Sequence, residues 1–179
     1  MKILLITALL FVVTSCFGQA KKIMMSKDDQ GYFRLLDQAD TSYVFITDAT
    51  RRAGLGSAYS LKEKLPDGAY EIYVNQNLKA KYAYSNGLRS GDWTNFYDNG
   101  QIERLVPYLN GKLHGYKRKY FEDGKLMEQI FYVDDKAEGS SFFNYPSGNV
   151  KSKYYHTNGK IYKRETFDED GKIVIIKEY

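Results

Sequence analysis

The sequence predicts an all-β fold, an elongated antiparallel meander of stacked hairpin repeats of about 24 residues each with a small N-terminal cap region. Two observations predict it. The 179 residues include 17 Tyr, 10 Phe and 1 Trp, an aromatic share of 16%, against 3 Pro and 15 Gly, and Tyr and Phe fit pleated, half-buried surfaces better than helices. Turn signals also recur at regular intervals: Pro66-Asp67-Gly68, Asn75-Gln76-Asn77, Asn86-Gly87, Asp98-Asn99-Gly100, Asn110-Gly111, Glu122-Asp123-Gly124, Asp134-Asp135, Pro146-Ser147-Gly148, Asn158-Gly159 and Asp170-Gly171. From Gly100 onward, turn residues 100, 111, 124, 135, 148, 159 and 171 lie 11, 13, 11, 13, 11 and 12 residues apart. Asn-Gly and Asp-Gly accept the positive φ of tight hairpin turns, and about eight to ten residues between turns suffice for one strand.

Residues 1–20 read as an export signal. Lys2 is their only charge, and residues 3–13 form an apolar run of eleven, short of the roughly 20 residues a membrane-spanning helix needs. Two processing routes are open. Val13-Thr14-Ser15-Cys16 resembles a bacterial lipobox, which would make Cys16 a lipidated N-terminus in the periplasm or at the outer membrane; alternatively, Cys16-x-Gly18 or Gly18-x-Ala20 is an ordinary cleavage site and the protein is released. Both routes take the chain out of the cytoplasm, and the membrane is contacted only through the lipid. One Cys and two His exclude a disulfide framework and a zinc cluster built only from these residues. Without Lys2, 25 basic residues face 22 acidic ones, too small an excess for nucleic-acid binding. Lys117-Arg118-Lys119 reads as the solvated face of a strand.

Residues 21–65 are expected to hold a tether and a small β cap. Residues 21–30 read as a flexible tether, with Lys27-Asp28-Asp29-Gln30-Gly31 as a loop. Tyr43-Val44-Phe45-Ile46 reads as a short strand, Arg51-Arg52-Ala53-Gly54-Leu55-Gly56-Ser57 as a loop, and Ser60–Leu65 as the approach to the first repeat. Such a region would cover the first edge of the repeat sheet.

The repeat domain is expected over 66–179, with units starting near Gly68, Gly91, Gly115, Gly139 and Tyr162. Stacking the last four units aligns Ile102, Leu126, Val150 and Ile173; then Val106, Ile130, Tyr154 and Lys177; then Tyr108, Tyr132, His156 and Tyr179. The first unit adds Leu78, Tyr82 and Tyr84. Even spacing predicts that all three columns share one face of the returning strand. The outgoing strand supplies Tyr73, Phe96, Tyr120, Asn144 and Phe167, then Val74, Tyr97, Phe121, Tyr145 and Asp168. A ladder of Tyr84, Tyr108, Tyr132, His156, Tyr179, Phe96, Tyr120 and Phe167 follows, each hairpin sharing an aromatic surface with its neighbours over roughly nine or ten strands.

Gly91-Asp-Trp93-x-x-Phe-Tyr97-Asp-Asn-Gly100-Gln-Ile, Gly115-x-x-x-x-Tyr-Phe121-Glu-Asp-Gly124-Lys-Leu and Asn110-Gly-Lys-Leu-His-Gly115 resemble the MORN-repeat variant of bacterial YwqK-like proteins. That family is commonly labelled an antitoxin component of a toxin–antitoxin module. The resemblance covers about residues 66–179 and implies a protein partner of unknown identity, a toxin or an envelope protein. Tyr162 departs from the pattern by replacing an opening glycine, and Asp135 by replacing a turn glycine.

No catalytic constellation stands out, and neither a cofactor nor a metal is expected. His114 sits at a repeat junction, and His156 substitutes for tyrosine in its column. Glu122-Asp123, Asp134-Asp135 and Asp168-Glu169-Asp170 fall where turn chemistry alone places acids. Gly54-Leu55-Gly56 lacks the remaining residues of a dinucleotide or phosphate loop. Trp93 belongs to the aromatic face. Ile173, Val174, Ile175 and Ile176 form an apolar last strand, a candidate edge for pairing with a partner chain.

Overall fold

The computed structural model of the protein describes residues 19–27, 33–35, 45–46, 60–61 and 66–179. Residues 1–18 of the leader, with Cys16, the loop at 51–57, and residues 28–31, 43–44 and 62–65 lie outside the described residues. The described elements are strands: β1 (Lys21–Lys27), β2 (Phe33–Leu35), β3 (Phe45–Ile46), β4 (Ser60–Leu61), β5 (Gly68–Val74), β6 (Asn77–Ser85), β7 (Leu88–Arg89), β8 (Gly91–Phe96), β9 (Ile102–Leu109), β10 (Lys112–Leu113), β11 (Gly115–Tyr120), β12 (Leu126–Val133), β13 (Lys136–Ala137), β14 (Gly139–Asn144), β15 (Val150–Thr157), β16 (Lys160–Phe167) and β17 (Ile173–Glu178). One open sheet runs β17-β16-β15-β14-β12-β11-β9-β8-β6-β5-β1-β2, with the two-residue strands β7, β10 and β13 attached beside it; β3 and β4 pair separately. Every pair from β5 to β17 is antiparallel, as a meander of hairpins requires.

Two turn types alternate along this meander. Asn75-Gln76, Asn86-Gly87, Asn110-Gly111, Asp134-Asp135 and Asn158-Gly159 each hold two consecutive positive φ values, the conformation that matches the twist of a two-residue hairpin loop. Asp134 and Asp135, at φ 47° and 69°, keep this geometry without the glycine. At the other end of the strands the loops are longer. Gly100 N–H donates to Tyr97 O at 3.0 Å, and Gly100 then takes φ 82° to rejoin the ladder. Gly124, Gly148 and Gly171 repeat this. The alternation of the sequence intervals is this alternation of loops.

Two expectations need correction. Residues 21–27 were expected within the tether, but Lys21–Lys27 is a strand that pairs parallel with β5, from Lys21 opposite Tyr70 to Met25 opposite Val74. Ile23, opposite Ile72, is buried in the core; a short segment carrying three lysines has little apolar pattern of its own, and the β5 edge supplies the order. The second correction concerns the columns. Each hairpin skips one residue of its returning strand, at Lys79, Glu103, Met127, Lys151 and Val174, which are 24, 24, 24 and 23 residues apart. Such a bulge shifts the alternation of sides by one. Ile102, Leu126, Val150 and Ile173 therefore share a face with Phe96, Tyr120, Asn144 and Phe167, opposite to Val106 and Tyr108, Ile130 and Tyr132, and Tyr154 and His156.

Burial is concentrated at the beginning of the sheet. Ile23, Tyr70, Ile72, Val74, Ala80, Tyr82 and Tyr84 form the buried cluster, with Trp93 packed against it. From β9 to β16 most side chains on both faces are half-buried, and β17 is exposed along its whole length.

Candidate functional site

The first face, defined by Tyr70 and Ile72, carries the aromatic column. Trp93 lies 4.3 Å from Tyr82, 5.3 Å from Tyr84 and 5.3 Å from Tyr108, ring centre to ring centre, and its indole N–H donates to Ala83 O at 3.0 Å. Arg89 lies over both Trp93 and Tyr108 and donates to the Tyr108 hydroxyl at 3.1 Å. Burial holds the Tyr84 phenol above its ordinary pKa. Further along the same face Phe143, Tyr154 and His156 form a second run, with Arg164 over Tyr154. Between these runs the face turns polar, with Lys117 paired to Glu128 at 3.1 Å. Tyr132 shares this face, opposite Gly115.

Phe96, Tyr120 and Phe167 sit on the second face, each opposite an aliphatic residue: Ile102, Leu126 and Ile173. There too cations cover rings, Arg118 over Tyr116 and both Lys153 and Lys163 over Tyr155. Glu165 accepts from Lys163 at 2.7 Å and from Tyr155 at 2.9 Å, and these hydrogen bonds hold its carboxyl below the usual range. The same partner raises Lys163 above the ordinary lysine value.

Neighbouring hairpins are stapled through their loops. Tyr97 donates to Tyr120 O at 2.7 Å and Tyr145 to Phe167 O at 3.0 Å, each reaching the following hairpin. Asn99 donates to Glu122 O and Asn149 to Glu169 O. On the opposite side, Gly111 N–H donates to Arg89 O, Asp135 N–H to Leu113 O and Gly159 N–H to Ala137 O. The recurring contacts fix each unit on the last. Residues 89–110, 113–134 and 151–168 match the MORN repeat variant. In those three stretches the hairpins are similar to MORN-variant repeats. No curated protein matches the chain.

Along these hairpins the chemistry of single residues is modest. His156 Nε2 lies 2.8 Å from Ser141 Oγ, a pair that spacing alone did not reveal because it joins two strands diagonally. Ser141 is 1% exposed, so no substrate reaches its hydroxyl. His114 lies 3.6 Å from Asp134 at a repeat junction. Asp123 is held below its usual range by the backbone N–H of Lys125 first and then by the Lys125 side chain, both local to the turn. Among the described residues no group of three or more His, Cys, Asp or Glu is placed to hold a metal ion.

The remaining surface feature is the end of the sheet. Ile173, Val174, Ile175 and Ile176 are 47%, 54%, 55% and 56% exposed, and Tyr179 beyond them is 64% exposed. β17 pairs with β16 on one side, and no described strand pairs with its other edge. Lys177 lies over the Tyr179 ring.

Proposed function

We propose that this chain is an exported, non-catalytic scaffold whose stapled MORN-variant repeats present an extended surface to a protein partner, in an antitoxin-like or immunity-like role met outside the cytoplasm. One observation carries the reading: both sheet faces interleave half-exposed rings with Arg and Lys, as in Arg89 over Trp93 and Tyr108, Arg118 over Tyr116, and Arg164 over Tyr154. Aromatic and arginine side chains are the groups that dominate protein interfaces. Lipidation of Cys16 would hold the scaffold at a membrane; palmitate labelling lost in Cys16→Ala tests that route. The function itself is tested by capture from envelope extracts with the purified protein. One foreign polypeptide in fixed ratio, lost on changing Tyr116 and Arg118 to Ala, is the expected result; recovery of no protein overturns the reading.

A second reading, binding of envelope carbohydrate, draws on Tyr116 and Tyr162, 46% and 47% exposed. It predicts sedimentation with purified sacculi, lost on changing these tyrosines to Ala. The cation over Tyr116 weighs toward the protein reading, since it occupies a ring face that a sugar would need.

A further inference from the structure

Each internal junction of the meander docks the next strand at the same place, the two residues after the bulge. Ala80 and Lys81 of β6 face Asn95 and Thr94; Arg104 and Leu105 of β9 face Lys119 and Arg118. Glu128 and Gln129 of β12 face Phe143 and Phe142; Ser152 and Lys153 of β15 face Thr166 and Glu165. β17 is the fifth returning strand, its bulge is Val174, and the equivalent docking pair is therefore Ile175 and Ile176. The four filled junctions carry Ala-Lys, Arg-Leu, Glu-Gln and Ser-Lys, and the unfilled one carries two isoleucines, each more than half exposed. A strand destined to stay in water is ordinarily blunted by charge, proline or shortness; β17 has four consecutive apolar residues instead.

The register asks for an antiparallel strand with apolar residues on both faces. β17 meets that description itself. A two-fold axis perpendicular to the sheet at residue 175 sets Ile175 against Ile175 and Ile176 against Val174 of the other copy, and keeps each face continuous with the same face of its partner. Lys177 and Glu178 cancel within each strand, so no net charge is brought to the axis. At the opposite end β5 is covered by β1, and β1 by β2 over Met25–Lys27; the stretch of β1 left without a described strand, Lys21–Met24, carries two lysines, so β17 is the longest apolar bare edge among the described residues. A single adhesive edge closes as a two-fold pair and not as a head-to-tail fibre. From this geometry we infer that two copies of the chain join through β17 into one continuous sheet. The joint uses about six backbone hydrogen bonds, and it leaves both faces free for the partner proposed above.

Sedimentation velocity and light scattering over a concentration series test it. The expected mass is twice the 20.7 kDa of the chain, falling to one chain in the Ile175→Lys, Ile176→Lys double variant with an unchanged β-sheet circular dichroism spectrum. In a Cys16→Ser background, cysteine placed at 175 forms a disulfide-linked pair across the axis, which needs no disruptive substitution. A wild-type monomer at every concentration, a dimer that survives the double lysine variant, absence of cross-linking at 175, or assemblies that keep growing with concentration would each overturn the pairing.

Discussion

The two ends of the sheet share a hairpin plan and differ in what their side chains meet. Ile72 of β5 is fully buried, packed with Tyr70, Ala80 and Tyr82, whereas Ile175 and Ile176 of β17 stand more than half in solvent. Register, bulge and hydrogen-bond pattern are the same at both ends, so the repeat sets geometry and position in the stack sets energy. The largest effect should follow from that difference. Ile72→Ala removes a buried side chain and should lower stability by about 2–5 kcal/mol, while Ile176→Ala should stay within about 0.5 kcal/mol when the chain is dilute enough to be a monomer. Urea denaturation of both variants checks this, and a similar loss in both would erase the distinction.

Next in size is the backbone at the unit openings. Gly91, Gly115 and Gly139 each open a six-residue piece of an outgoing strand that follows a two-residue piece, whereas β16 keeps its eight residues in one strand with a bulge at Tyr162, the equivalent place. Gly139 has φ 68° and open space where a Cβ would lie, so Gly139→Ala isolates backbone strain; the left-handed region costs about 1–2 kcal/mol for an L-residue. The opposite change, Tyr162→Gly, loses the contact with the Tyr155 ring and adds backbone freedom at the bulge of β16, an expected loss of about 0.5–1 kcal/mol from the backbone alone. Thermal denaturation compares the pair; a stabilising Gly139→Ala would refute the strain argument.

The staples between loops rank third. Tyr145→Phe deletes the hydroxyl that donates to Phe167 O and should cost about 1 kcal/mol. Phe121 occupies the corresponding place one unit earlier without a hydroxyl, and Phe121→Tyr is expected to add a bond of the same kind to the carbonyl of Asn144, for a gain no larger than that. Amide hydrogen exchange in the adjoining strands reads both changes, and unchanged protection in Tyr145→Phe would remove the staple from the account.

How much of this was legible depends on where each signal is stored. Turn residues write the repeat openly, because Asn-Gly and Asp-Gly are among the few sequences that tolerate paired positive φ, and the ten long strands from β5 to β17 follow from them. The bulge is silent. Its positions are Lys79, Glu103, Met127, Lys151 and Val174, residues with no chemistry in common, so parity counting carried Ile102 and its counterparts to the wrong face. β1 is equally silent, since its order comes from the β5 edge and not from its own pattern. Among candidate site residues, the aromatic columns were visible as columns; Arg118 and Lys153 cover rings two residues away in their own strands, but Arg89, Lys163 and Arg164 reach theirs from other strands. The Ser141–His156 pair is of the same kind, a contact made by register.

His156 supplies the smallest expected effect. Burial, partly offset by the charge of Glu138, holds its imidazole below the ordinary histidine value, and Nδ1 is buried without a hydrogen-bond partner while Nε2 meets Ser141. The unfolded chain therefore takes up a proton before the folded one does. Stability is full above the unfolded pKa of about 6.5, declines as pH falls from there toward the lowered folded value, and levels off beneath it. Glu71 and Glu165, whose partners lower their values, act in a separate and more acidic window, below the ordinary carboxylate range. A denaturant series between pH 7 and 5 should thus show a shallow loss of stability in the parent protein and a flatter profile in His156→Tyr, which restores the residue type of Tyr84, Tyr108 and Tyr132 in the same column. An identical slope in the two proteins would place the titration elsewhere, and a stability that rises on acidification would reverse the sign and contradict the burial of the ring.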